Sequence, residues 1–408
     1  MKLSDWLTLA PLFLKCLGKL PLGHLLYLAR QFPHEYPHHH AGKLYINAFF
    51  PPYPSTAFDR FLDNTLQGKR VPYSVYFAVT DRCPFKCAHC SYGRHQKGSL
   101  STKQAIEVIR HVNSLSAATI GFTGGEPLMR DDIVDLVRAV GDDMSSVLFT
   151  TGHRLTEQLA RHLQQAGLDT IMIGLESDDP SEHDGTRGVP GSFLESLSAV
   201  DLSLNADFHT AISTVGTKQK IAAGTIERMG ELAAARGVHE FRILEPIPTG
   251  RFHECNDQIL SEAESKQLSH FHKQWNRGNR RPAISAFSHL ESDEMFGCGA
   301  AFHHLFIDAR GNVCPCDLTP LSFGNVLEEP LMDIWIRMSD LFPLPRCGCL
   351  MRELRENTEI SGTEAALPLS PGESERLCRT LPTNTCLPGI YKRLFKHRKP
   401  TNPPVNRP

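Results

Sequence analysis

Thr80-Asp81-Arg82-Cys83-Pro84-Phe85-Lys86-Cys87-Ala88-His89-Cys90-Ser91-Tyr92 follows directly on an apolar run at 74–79. Three thiols spaced C-x3-C-x2-C after a strand can hold three corners of a cubane iron–sulfur cluster and leave the fourth iron bare. Electron-carrier clusters are enclosed by four cysteines. A bare corner is what a cluster needs if it is to bind a small molecule directly. A structural zinc site is the competing reading, since its C-x2–4-C spacings overlap with this one. It needs a fourth ligand nearby, and His89 lies between two of the cysteines instead of beyond them.

A second run supports the cluster. Thr119-Ile120-Gly121-Phe122-Thr123-Gly124-Gly125-Glu126-Pro127 again places a loop after an apolar strand. Gly124 and Gly125 let backbone approach a ligand with no Cβ in the way. Glu126 offers a carboxylate to an ammonium. A tight turn explains the two glycines but not the Glu-Pro after them. Both runs, in this order, resemble the radical S-adenosylmethionine (radical SAM) superfamily. The resemblance implies that Cys83, Cys87 and Cys90 hold a 4Fe-4S cluster whose bare iron is chelated by S-adenosylmethionine (SAM). It further implies that Gly124, Gly125, Glu126 and Pro127 form the segment receiving the SAM amino group. By the same resemblance Thr151, Glu176, Ser177, Arg187 and Tyr92 are SAM contacts, with Glu176 or Ser177 at the ribose and Arg187 at the carboxylate. A helix-start salt bridge is the competing reading of Arg187, and packing under the cluster loop that of Tyr92. The chain departs from the family at Gly174, where Ser is usual, and in Thr151-Gly152, which lacks the Asn of a Thr-Asn-Gly turn.

From residue 74 the pattern alternates strand and helix. Strands are predicted at 74–79, 119–122, 147–150, 170–175, 208–213 and 241–244. Ser101-Thr-Lys-Gln104 reads as a capping box, and Ile106, Ile109 and Val112 follow at helical spacing. Gly167 reads as a left-handed helix cap. Six β/α units with right-handed crossovers predict a parallel sheet covered by helices. That is too few for a complete eightfold barrel, and the resemblance implies a partial (β/α)6 TIM-like barrel of class α/β. In such folds the carboxyl ends of the strands form the active face. This places the Cys loop, the Gly-Gly-Glu-Pro turn and Thr150-Thr151-Gly152 on one rim.

Cys298, Gly311, Cys316 and Cys347-Gly348-Cys349 form a second thiol-rich region. It resembles the SPASM extension, or its shorter relative twitch, with a β-hairpin turning at Arg310-Gly311-Asn312. The chain lacks the full SPASM string, so the resemblance implies one auxiliary 4Fe-4S cluster on Cys298, Cys316, Cys347 and Cys349. Cys314 is the substitute for Cys349, a second auxiliary cluster would draw on Cys378 and Cys386, and a zinc knuckle is the alternative. Cys16 and Cys255 read as packing residues.

The expected divisions are an N-terminal helical and loop extension at 1–70, the barrel at 71–255, a connecting helix and loop at 256–297, the auxiliary-cluster domain at 298–355 and a C-terminal extension with a basic tail at 356–408. A hydrophobic content of 41% with 22% charged residues is ordinary soluble composition. A net charge of −2 gives no global attraction to nucleic acid. Thiols grouped at metal-ligand spacings point to a reducing, cytoplasmic setting. Residues 6–28 are Leu-rich but interrupted by Pro11, Lys15, Lys19 and Pro21, short of the ~20 apolar residues that cross a bilayer. They read as helices packing on the main domain, with peripheral membrane contact as the alternative. His38-His39-His40 reads as a solvated loop.

The resemblance implies an oxidoreductase. A flavodoxin- or ferredoxin-type donor reduces the first cluster, SAM is cleaved to a 5′-deoxyadenosyl radical, and hydrogen is taken from a peptide or small-molecule substrate. The auxiliary cluster accepts the leftover electron. No individual catalytic residue is named by the sequence. The competing readings are a non-catalytic zinc-binding scaffold and, among enzymes, a GTP cyclase of the molybdenum-cofactor type.

Overall fold

The computed structural model describes residues 3–253, 255–278, 280–355, 367–382, 384–395 and 400–402. β-branched and aromatic residues fill its strands. Val75, Phe77 and Val79 are wholly buried, as a strand covered on both faces requires. Two short strands come first, β1 (His38–His40) and β2 (Lys43–Tyr45). The main strands are β3 (Ser74–Thr80), β4 (Thr119–Gly124), β5 (Ser145–Thr150), β6 (Thr170–Gly174), β7 (His209–Val215) and β8 (Glu240–Leu244). They pair in parallel in chain order, so each crossover moves the chain one strand along the sheet. Gln104 and Ser101 complete the expected capping box of helix Thr102–Ser114, whose Ala105, Val108, Ile109 and Val112 face the sheet. Gly167 is left-handed, with φ 95°.

The sheet is wider than the six expected strands. β9 (Ala283–Ala286) lies in the expected connecting segment and pairs in parallel with β8. β10 (His304–Ile307), in the thiol-rich region, pairs in parallel with β3, and β11 (Val313–Cys314) returns antiparallel on β10. The sheet therefore has nine strands and two edges, β11 and β9. The predicted hairpin turn is present. The Asp308 carboxylate accepts from the backbone N–H groups of Arg310 and Asn312.

The N-terminal extension packs as α1 (Leu3–Cys16), α2 (Leu22–Gln31) and α3 (Thr56–Gln67). Glu35 faces the connecting segment, with Oε1 3.7 Å from His272 Nε2 and 3.8 Å from His289 Nε2, beyond hydrogen-bond reach. His272 Nδ1 accepts the Ala286 N–H. The ring proton of a neutral imidazole then sits on Nε2, facing the carboxylate.

His38-His39-His40 is not a solvated loop. It forms β1, paired to β2, and closes the amino-terminal end of the barrel. The His38 and His209 rings stack at 5.2 Å, and their Nε2 atoms lie 3.0 Å apart. Tyr45 stacks on His209 at 3.8 Å, and His239 lies 4.5 Å from His40. Burial pushes His38 down to about 4 and His239 down to about 3. The unfolded chain binds these protons near pH 6.5, so it holds more protons than the native state below that pH. Their contribution is therefore complete above about pH 6.5 and is lost as pH falls through the depressed values. For His38 alone the slope is about 1.4 kcal/mol per pH unit. Thermal unfolding should show an acid slope between pH 6.5 and 4.5 that is flatter in His38→Gln. Identical slopes for parent and variant would refute this account of the stack.

Candidate active site

The carboxyl ends of β3 to β8 open into one cavity of about 1130 Å³. Its wall includes Cys83, Cys87 and Cys90 after β3, the Gly124-Gly125-Glu126 turn after β4, Thr150 and Thr151 after β5, and Glu176 after β6. Cys298, Cys316, Cys347 and Cys349 stand on the same wall. Both predicted thiol sets thus face one space.

The turn after β4 is built by close backbone approach. Gly124 has φ 121°, and a Cβ there or at Gly125 would overlap the carbonyl of Thr80 or Arg82. Glu126 is fully buried, and its carboxylate accepts from Leu128 N, Thr150 Oγ1, Thr151 N and Thr151 Oγ1. Burial nevertheless leaves its pKa raised. With four donors in place, the carboxylate binds the end of β4 to the end of β5 instead of standing free for an ammonium. Pro127 starts a short 3-10 turn and is buried away from the cavity wall.

Glu176 is the charge centre of the rim. Its Oε1 is 3.0 Å from Arg187 Nη2 and 3.3 Å from His89 Nε2, and its Oε2 is 2.8 Å from Lys220 Nζ. Thr214 Oγ1 also donates to it, at 3.2 Å. Burial alone would raise this carboxyl, but the surrounding groups hold it well below the usual range. Burial pushes His89 down to about 4, so at neutral pH His89 is an uncharged donor and the counter-charges are Arg187 and Lys220. Arg187 also donates to Cys87 Sγ at 3.5 Å, which joins the ion cluster to a cluster thiol. Its guanidinium fills the space a Cβ would take at Gly174. Gly therefore replaces the family's Ser where an arginine needs the room.

Ser177 stands off the cavity wall, and Tyr92 packs under the Cys loop while lining the cavity. Ser177 Oγ donates to Glu182 and accepts from Asp179 N, organising the next helix, and it is not on the cavity wall. Tyr92 lines the cavity, but its ring stacks on His95 at 4.3 Å and its hydroxyl accepts from Ala309 N, which fastens the Cys loop to the β10–β11 hairpin. His89 and Lys220 were not singled out from the sequence. His89 was visible as the residue before Cys90, whereas nothing near Lys220 marks it.

Cys83, Cys87 and Cys90 remain unpaired thiols. Burial raises Cys83 to about 11 and raises Cys90. Three converging thiols with a guanidinium at one of them and glycine backbone opposite fit a trithiolate cluster with an open corner.

Of the four expected auxiliary ligands, three come together. Cys298 and Cys349 share a hydrogen bond that raises the Cys298 thiol and lowers the Cys349 thiol, and Cys316 stands beside them. Cys347 instead bonds Cys386. The C-x-C spacing divides the two, Cys349 turning inward and Cys347 toward a thiol 39 residues away. Cys314 packs with Ala78, Phe306 and Ala309, apart from that trio, and Cys378 belongs to the main core.

The radical SAM superfamily model matches residues 77–222, and that of the SPASM iron–sulfur cluster-binding domain matches residues 298–342. The chain is 26% identical over 317 residues to the AdoMet-dependent heme synthase of Methanosarcina barkeri, covering 71% of this chain and 87% of that one. It is 26% identical over 330 residues to that of Nitratidesulfovibrio vulgaris, covering 74% and 85%. Among solved structures, Streptococcus suis SuiB bound to precursor peptide SuiA superposes with TM-score 0.57 at 15% identity, over 68% of this chain and 67% of that chain. Native anSMEcpe with bound AdoMet superposes with TM-score 0.55 at 16% identity, over 79% and 98%. Those structures share the fold, and the cofactors that follow from the two domains are 4Fe-4S clusters and SAM. The zinc-scaffold reading gives way to an enzyme, with a radical SAM domain at residues 77–222 and a C-terminal SPASM iron–sulfur domain at residues 298–342.

Proposed function

We propose that this chain is a radical SAM oxidoreductase that oxidises a substrate held between two iron–sulfur centres. The reading rests on one observation, the single cavity walled by both thiol sets. Its volume of about 1130 Å³ exceeds the ~300–1,000 Å³ of a pocket for one small ligand, which leaves room for SAM beside a second molecule.

Cys83, Cys87 and Cys90 would hold the cluster that binds SAM, and Cys298, Cys316 and Cys349 would hold an auxiliary cluster. When bound, these groups supply the electron that cleaves SAM to a 5′-deoxyadenosyl radical and accept the electron left on the substrate. The chain's own residues bind and orient. The Gly124–Glu126 turn would receive the SAM amino group along its backbone, with Glu126 holding that turn to Thr150 and Thr151. Glu176 would accept from the ribose, kept ionised by Arg187 and Lys220. Tyr76, Phe149 and Met172 line the inner wall and would exclude water from the reacting centre. A flavodoxin- or ferredoxin-type donor would reduce the protein.

The heme-synthase relatives favour a tetrapyrrole substrate, and a peptide is the second class, because SuiB was solved with its precursor peptide. The test is anaerobic reconstitution with both substrate classes. Parent protein should carry roughly eight irons per chain and release 5′-deoxyadenosine upon reduction. Cys316→Ala should lose about four irons and still release 5′-deoxyadenosine, but form no oxidised product. Product formation by Cys316→Ala at the parent rate would remove the auxiliary centre from the reaction.

A further inference from the structure

Among the described residues six large apolar side chains stand exposed, and four of them, Leu14, Leu17, Leu22 and Leu26, fall in one stretch of thirteen residues. They are 54–68% exposed. This stretch is the turn of the α1–α2 helical hairpin. The hairpin's other face is satisfied, since Cys16 and Leu25 pack against Leu44, Phe58 and Leu62. Lys15 pairs with Asp59, and the Tyr27 hydroxyl donates to the Glu294 carbonyl. The hairpin is therefore fastened to the protein by one side and presents leucines on the other. Apolar side chains grouped this way mark an interaction surface.

Basic residues stand among and beside them, although Asp59 and Asp63 of α3 border Lys15. Lys15, Lys19 and Arg30 are exposed on the same hairpin, and residues 1–31 contain four basic residues and one acidic one. Helix Gly389–Leu394 packs on α2 and brings exposed Lys392 there. Residues 388–408 contain six basic residues and no acidic one, although the whole chain is net −2. Of these, Lys396, Arg398, Lys399 and Arg407 lie outside the described residues. Helix packing thus sets Lys392 beside the basic residues of the hairpin.

We propose that the outer face of the α1–α2 hairpin, with helix Gly389–Leu394 beside it, seats this protein on an anionic lipid bilayer surface. The leucines enter the headgroup–acyl boundary and the basic residues face the phosphates. Apolar insertion and a polybasic patch are the two signals that together give stable peripheral binding. Spanning is excluded for this segment, because its helices have 14 and 10 residues and crossing takes ~20. A second copy is a poor occupant, since self-association through this face would set cation against cation.

The test is co-sedimentation of the full, anaerobically purified chain with phosphatidylcholine vesicles, with and without phosphatidylglycerol. Binding should require phosphatidylglycerol, weaken with salt, and fall by about fivefold for each basic residue removed by substitution. Leu17→Glu/Leu26→Glu should reduce the bound fraction about tenfold or more, with 5′-deoxyadenosine release unchanged. Leu194→Glu/Leu327→Glu, at exposed leucines elsewhere, should bind like the parent. Lys19→Glu/Lys392→Glu reads the charge contribution alone, and should also weaken binding. The proposal is overturned if the parent ignores phosphatidylglycerol, or if the hairpin variants sediment as the parent does. It is equally overturned if Leu17→Glu/Leu26→Glu turns a dimer into a monomer, or if the face binds an acidic protein while leaving vesicles untouched.

Discussion

Cys87→Ala is expected to abolish 5′-deoxyadenosine release and to remove about four irons per chain. Cys87 is the buried member of the first thiol set and, among the described residues, the only one to which a guanidinium donates. A cubane that has three protein ligands cannot lose one and keep its geometry. Loss of an outer partner of a metal site typically costs about 10–100-fold, so loss of a direct ligand should exceed 100-fold. Cys16→Ala and Cys255→Ala serve as controls, because neither lies on the cavity wall, and both should retain parent iron and release. Cys316→Ala gives the complementary pattern, with intact SAM cleavage and no product. Release by Cys87→Ala at the parent rate would mean that the first thiol set does not hold the SAM-binding cluster.

What could be read from the sequence was local. The Cys loop, the Gly-Gly-Glu-Pro turn, the Ser101–Gln104 capping box and the cap at Gly167 each depend on residues a few positions apart. The βα rhythm depends on side-chain period within single elements, and it yielded six of the strands. β9 and β10 are four residues long, too short to show a period. They exist because β8 and β3 offer edges to pair with. β1 is three histidines, which propensity assigns to no strand. His38 is buried through rings that arrive from His209 and His239, about 170 and 200 positions away in the chain. Cys347 was read with its neighbour Cys349, and the partner that it meets, Cys386, is set by folding of the C-terminal extension. Lys220 reaches Glu176 from beyond β7, which no spacing rule anticipates. Gly174 became intelligible only with Arg187 in place.

Glu176→Gln should lower the unfolding temperature by roughly 5 °C, and this too follows from a long-range arrangement. The carboxylate is wholly buried with Arg187 and Lys220 against it, and Lys220 is itself held below its ordinary value by burial. Neutralising one member of a buried ion cluster strands the others, at a cost of about 3–5 kcal/mol. For a chain of this size that corresponds to about 1.2 °C per kcal/mol. The comparison is made at one scan rate on reconstituted protein, because iron–sulfur proteins unfold irreversibly. Glu176→Gln/Lys220→Met removes one stranded cation and should recover part of the loss. The pair is therefore non-additive, with a coupling of about 0.5–3 kcal/mol. Recovery of stability also separates two roles of the carboxylate. If Glu176 accepts from the SAM ribose, SAM affinity stays low in the double variant even though the fold is restored. If it serves only to neutralise Arg187 and Lys220, affinity returns together with stability. Unfolding of Glu176→Gln at the parent temperature would show that the ion cluster contributes nothing net, and the charge-centred description of the rim would have to be abandoned.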